Sequence, residues 1–157
     1  MSVLISLLVV GVGLHGALRL QMSGLAGAYS SGTRTEALLL AVDILERMRA
    51  NSEHTVLGGY AVTDLSALAP GQQGIYADCA VLSCSPTQLK SYDLGVWQEK
   101  FPAALTNGSI TIFERSADER IWAVQVRWDD DADGDVGTTC PPEDENDLDC
   151  VMMESSF

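Results

Sequence analysis

The sequence predicts an α+β protein, with one long N-terminal α-helix packed on a small antiparallel β-sheet. Three observations predict it. Residues 3–50 contain no proline and are apolar on all sides at first, then on one side only. Two apolar runs late in the chain, separated by a polar connector, have the spacing of a hairpin. Glycines and prolines gather between these two parts, where the chain has to turn.

The helix comes first, as a domain over residues 1–52. Val3 to Leu14 is apolar apart from Ser6 and two glycines, and its twelve residues fall short of the roughly 18–20 that cross a bilayer. Ala17, Leu18, Leu20, Met22, Leu25 and Ala26 continue the apolar character, interrupted by His15, Arg19 and Gln21. Residues 1–28 therefore read as transmembrane-like, with the polar groups near the outer side. The first Arg is residue 19, so either a basic flank lies outside this sequence or charge does not set the topology. Residues 29–52 are amphipathic. Leu38, Ala41, Val42, Leu45 and Met48 recur at helical spacing as a stripe that packs on the rest of the protein. Asp43 and Arg47 form a favourable i,i+4 pair, and Asn51-Ser52 ends the helix.

Residues 53–157 form the second domain. Gly58, Gly59, Pro70, Gly71 and Gly74 mark a loop-rich stretch, and Pro86 to about Leu105 reads as a helix. Ile110 to Phe113 and Ile121 to Trp128 read as strands joined by the polar connector Arg115–Arg120, and Val151 to Ser155 as a final strand. Charge divides the same way. Residues 1–60 sum to zero, so the whole net charge of −13 lies beyond them, with eleven carboxylates between residues 129 and 154. Such a surface repels phosphates and excludes nucleic acid as a partner.

Catalysis finds no support in the residue pattern. His15 and His54 have no nucleophile at a meaningful spacing. The clustered carboxylates lack the apolar setting that raises a pKa for acid–base work. No glycine-rich phosphate loop is present, Trp97, Trp122 and Trp128 read as core residues, and no small-molecule substrate is expected.

The segments VLISLLVVGVGLHGALRLQ, DILERMRAN, the pair Cys79…Cys84, YDLGVWQ and IWAVQVRW, in this order, resemble the PilV-like minor pilins of type IV pili. The resemblance implies a pilin-like fold and a non-catalytic subunit that helps start pilus assembly and joins the tip complex. It implies an inner-membrane anchor with a periplasmic head, and then a place at the extracellular pilus tip. Its partners would be other minor pilins and a tip adhesin. Leu4, Leu7, Leu8, Leu14 and Leu18 would face lipid before assembly and neighbouring helices afterwards, with Gly11, Gly13 and Gly16 permitting close helix approach. Prepilins carry a basic leader, a Gly at the cut, an aromatic first residue and a Glu soon after; here Ser2 stands where that Glu is expected. Either the true start lies upstream, or the subunit lacks the Glu and sits at the tip, where one neighbour is missing. A minor pseudopilin of type II secretion shares the helix and is the nearest alternative; DILERMRAN and YDLGVWQ favour the pilus.

Two constellations remain. Cys79, Cys84, Cys140 and Cys150 fit no zinc ribbon or C-x-x-C spacing. Sequence proximity and the family resemblance favour Cys79–Cys84 and Cys140–Cys150 among the three possible pairings, each worth roughly 2–3 kcal/mol by chain entropy. Asp129, Asp131, Asp133, Gly134 and Asp135 match the opening of a calcium loop, D-x-D-x-D-G. Position twelve of that loop is Cys140 instead of a bidentate Glu, so a solvated acidic turn is the competing reading. With calcium bound, the chain could instead be a membrane-anchored, calcium-dependent binding module. No other cofactor is expected.

Overall fold

The proline-free stretch forms one α-helix, α1 (Ser2–Ala50). A one-turn helix α2 (Ser52–Val56) and a longer α3 (Pro86–Ala104) follow, then strands β1 (Ser109–Ser116), β2 (Ile121–Arg127) and β3 (Cys150–Ser156). The structure, a computed structural model, describes residues 2–67, 78–105, 107–129, 140 and 150–157. The chain divides into two compact units, Met1–Gly32 and Thr33–Phe157. In the first, every side chain from Val3 to Tyr29 is exposed, and α1 is long and apolar enough to cross a membrane by length and composition.

In the second unit the buried face of the helix keeps three of the five expected residues and is rotated away from the other two. Ala41, Leu45 and Met48 are buried, joined by Ala37 and Ile44, whereas Leu38 and Val42 remain 38% and 40% exposed. The reason lies in the run Ala37–Val42 (ALLLAV), which is apolar all round. Hydropathy alone allows two overlapping stripes there. The buried one carries Ala37 and Ile44 in place of Leu38 and Val42.

The sheet has the order β1-β2-β3, all antiparallel. Val124 lies between Ile112 and Met153, and Val126 between Ile110 and Val151. Alternation along each strand sends Ile110, Ile112, Trp122, Val124, Val126 and Val151 into one core with the buried face of α1 and with Trp97 and Phe101 of α3. β1 and β3 run past their apolar runs at both ends, whereas β2 stops at Arg127, one residue short of Trp128. Pairing of β1 with β2 continues through polar residues to Ser116, and Arg115 of β1 forms an ion pair with Glu154 of β3. Upstream, Val62 forms an isolated antiparallel bridge to Ile112, so part of the loop-rich stretch lies against β1.

Helix α3 begins with a capping box. Ser85 Oγ accepts from the Gln88 N–H at 3.3 Å, the Ser85 N–H donates to Gln88 Oε1 at 2.9 Å, and Pro86 occupies the first turn. Its C-terminal end meets β1 at Gly108, where a Cβ would stand 2.5 Å from the ring of Phe101 and 2.8 Å from the carbonyl oxygen of Arg127. The ring can yield but the β2 backbone cannot. Gly108→Ala should therefore lower stability by about 1–3 kcal/mol, the usual cost of overpacking, and a urea melt measures it.

Candidate functional site

Asp43, Arg47 and Asn51 succeed one another at four-residue steps along one face of α1 and its end. Asp93 and Trp97 stand four apart on α3. The fold brings the two sets together. Arg47 Nε donates to Asp43 Oδ2 at 3.2 Å, and its Nη1 donates to Asp93 Oδ1 at 2.9 Å. The Tyr60 hydroxyl donates to Asp93 Oδ2 at 2.7 Å, and Trp97 Nε1 donates to Asp43 Oδ2 at 3.1 Å. Asn51 Nδ2 completes the circuit, donating to Tyr60 Oη at 3.1 Å and to the Pro86 carbonyl at 2.8 Å. This polar clasp ties the C-terminal end of α1 to α3 and to the turn carrying Tyr60. Arg49 adds a second tie, from its Nη2 to Ser155 Oγ on β3 at 2.8 Å.

Burial decides how much the clasp matters. The Asp93 side chain is only 2% exposed, and that of Arg47 is 31% exposed. A carboxylate so enclosed is tolerated only with a cation and hydrogen-bond donors on both oxygens, and Arg47 and Tyr60 supply them. Burial works against the Arg47 charge, but the hydrogen bond to Asp93 and the neighbouring Asp43 carboxylate outweigh it, and the pKa is raised. Burial also pushes the Tyr60 phenol well above its ordinary value of 10.0; the Asn51 amide opposes the rise and Asp93 adds to it.

A phenol with a raised pKa in the folded chain contributes fully below the unfolded value near 10. That contribution is lost as the pH climbs through the folded value, because the unfolded chain ionises first. Stability should therefore fall once the pH passes about 10, and Tyr60→Phe should remove part of that fall. The same change costs about 1–3 kcal/mol at neutral pH, since Asp93 loses a donor and Asn51 an acceptor in a buried place. Melting curves between pH 7 and 11 check both statements.

The membrane-type residues of α1 are a second surface. Leu4, Leu7, Leu8, Leu14 and Leu18 are all exposed. A Cβ added at Gly11, Gly13 or Gly16 would meet nothing within 4 Å. The four cysteines form the two local disulfides, Cys79–Cys84 and Cys140–Cys150, with Cα separations of 5.6 and 5.7 Å. Of the acidic turn, Asp129 is buried just past the end of β2, where Asn107 Nδ2 donates to its Oδ2 at 3.1 Å. Asp131, Asp133 and Asp135 lie outside the described residues. No group of three or more metal-ligating side chains occurs among the described residues.

Residues 19–95, just under half of the chain, match the model of the Tt1218-like family, described as type IV pilin Tt1218. No curated protein and no solved structure matches the chain. The matched segment is similar to a type IV pilin. The chain's long N-terminal helix and three-stranded antiparallel sheet form the type IV pilin-like α+β fold. The matched residues include Asp43, Arg47, Asn51, Tyr60 and Asp93, so five clasp residues lie inside the pilin segment and only Trp97 lies beyond it. The exposed apolar part of α1 is long and apolar enough to serve as a membrane anchor. Local spacing marks Asp43 with Arg47 as a pair but not Asp93 and Trp97 as its partners, nor Tyr60 and Asn51 behind Asp93. The four-residue steps Asp43-Arg47-Asn51 and Asp93-Trp97 were the available signal; nothing local marked Tyr60.

Proposed function

We propose that this chain is a type IV pilin, a minor subunit of the PilV-like kind, which takes part in starting type IV pilus assembly and in the tip complex. One observation carries the reading. Asp43, Arg47 and Asn51 from DILERMRAN, and Asp93 and Trp97 from YDLGVWQ, meet in one clasp. The segments that resemble the PilV-like subfamily thus share a single physical task, holding the head on its helix. A subunit that meets unlike neighbours in a fixed orientation needs that hold. Before assembly the helix anchors in the inner membrane with the head in the periplasm. Afterwards Leu4, Leu7, Leu8, Leu14 and Leu18 exchange lipid for the helices of other minor pilins, beside a tip adhesin. Gly11, Gly13 and Gly16 let those helices come close.

The test is a deletion strain complemented with the wild-type chain. Electron micrographs should show nearly all surface pili lost on deletion and restored by the chain, with immunogold label at pilus ends and not along the shaft. Intact pili combined with failed export of a type II substrate would make the protein a minor pseudopilin instead.

Calcium at the acidic turn is a separate proposal, and it rests on the D-x-D-x-D-G spacing that begins at Asp129. An ion that binds the folded turn more tightly than the unfolded chain stabilises by about 2.7 kcal/mol at 100 Kd. Melting of the full chain in detergent should shift upward with calcium, less with magnesium, and not at all after Asp131→Asn with Asp133→Asn. Coincident curves with calcium, magnesium and chelator would leave a solvated turn.

A further inference from the structure

The connection between α3 and β1 holds the only Asn-Gly step of the chain, Asn107-Gly108. The fold calls for both residues there. Asn107 has φ 47°, a left-handed conformation that Asn tolerates better than most side chains. Gly108 leaves no room for a Cβ between the Phe101 ring and the Arg127 carbonyl oxygen. The same two residues are open to attack of the backbone on a side chain. With no Cβ beside it, the glycine nitrogen can approach Asn107 Cγ without steric hindrance. That nitrogen is uncommitted, since no backbone carbonyl among the described residues accepts the Gly108 N–H. Asn107 is exposed, so water reaches the turn. One contact restrains it. Asn107 Nδ2 donates at 3.1 Å to Oδ2 of Asp129, a residue only 4% exposed. The other asparagines differ in setting. Asn51 precedes Ser52 and is buried, with its amide bonded to Tyr60 and Pro86, and Asn146 precedes Asp147.

We propose that Asn107 is a self-modification site, converted to an acid by the Gly108 backbone at a rate that Asp129 restrains. The Gly108 nitrogen attacks Asn107 Cγ and a C–N bond forms. The Cγ–Nδ2 bond breaks, and ammonia leaves carrying the Gly108 proton. One water then opens the resulting five-membered imide at either carbonyl. Opening at Cγ leaves aspartate; opening at the backbone carbonyl leaves isoaspartate, whose main chain runs through Cβ and Cγ. Ring closure turns Cγ toward the Gly108 nitrogen and draws Nδ2 from Asp129, so that hydrogen bond has to break first. The change runs one way. Either product puts a carboxylate where Asp129 had a donor, and two carboxylates at one enclosed corner repel each other. A passing opening of the corner is thereby made permanent, and the end of β2 loses its tie to the turn before β1.

The test holds the full chain at pH 8 in a neutral maltoside detergent, with samples taken over weeks. Tryptic cleavage releases residues 101–115, in which Asn107 is the only side-chain amide. An amide-to-acid mass gain in that peptide, resolved by chromatography into aspartate and isoaspartate forms, therefore reports this reaction alone. Wild type should convert Asn107 ahead of Asn51. Asp129→Ala should speed conversion at Asn107 about tenfold, the weight of one hydrogen bond to a charged acceptor. Asp129→Asn keeps an acceptor and should fall between the two. Asn107→Asp should melt below wild type, and adding Asp129→Asn, which exchanges donor and acceptor, should recover part of the loss. Conversion at Asn107 no faster than at Asn51 in wild type overturns the proposal. Equal rates in wild type and Asp129→Ala do so as well, and so does an Asp129→Ala chain in which Asn51 speeds up equally, the sign of general unfolding. Aspartate formed without isoaspartate would mean direct hydrolysis by water and would remove Gly108 from the reaction, which overturns it too. An Asn107→Asp chain as stable as wild type would refute the one-way step.

Discussion

Arg47→Met should lower the stability of the head by about 3–5 kcal/mol, because it leaves the Asp93 carboxylate buried without its cation. Asp93 keeps only the Tyr60 hydroxyl after that change. Asp93→Leu should fall at the lower end of the same range. Arg47 then still has Asp43 and partial access to water, while the buried Tyr60 hydroxyl loses its acceptor. Removing both members should cost less than the sum of the two, since no buried charge is left behind; coupling of about 0.5–3 kcal/mol is the usual size for side chains in contact. Urea melts of the full chain in detergent, followed by tryptophan fluorescence, measure all three variants. Trp97 hydrogen-bonds to Asp43 inside the clasp and reports on it directly. Additive single costs would show that the clasp is not a coupled unit.

Leu45→Glu should cost roughly 2–5 kcal/mol, by losing buried apolar contact and placing a carboxylate in the core. Leu45 is 4% exposed. The informative comparison is with Leu38→Glu and Val42→Glu in the same helix. Both positions are more than a third exposed, so each should change stability by about 0.5 kcal/mol or less, as surface substitutions do. Thermal melting separates the two classes. Equal losses at all three positions would mean that the expected Leu38–Val42 stripe is buried after all.

The two predictions draw on different levels of legibility. That α1 is a helix could be read from an uninterrupted apolar pattern without proline. That it packs on a head followed from its change to one-sided amphipathicity after about residue 30. The buried face could not be read, because ALLLAV offers apolar residues in every direction and only the inward space chooses among them. The clasp was half legible: a four-residue step puts Asp43 beside Arg47 on any helix. Asp93 and Tyr60 lie 46 and 13 residues further along the chain than Arg47, and no local rule connects them to it.

The sequence by itself determined α1, α3 and the three strands in their order and the separation of an apolar helix from an acidic head, and its cysteine spacing, with the family resemblance, favoured the pairing of neighbours. Each depends on residues within a few turns of one another: periodicity for helix and strands, local charge for the acidic head, short loops for the disulfides. Tertiary structure alone decided which face of α1 is buried and what surrounds the Asp93 carboxylate. Those outcomes depend on shape and on enclosure in a low-dielectric core. There, a buried charge must find a cation wherever the fold can bring one.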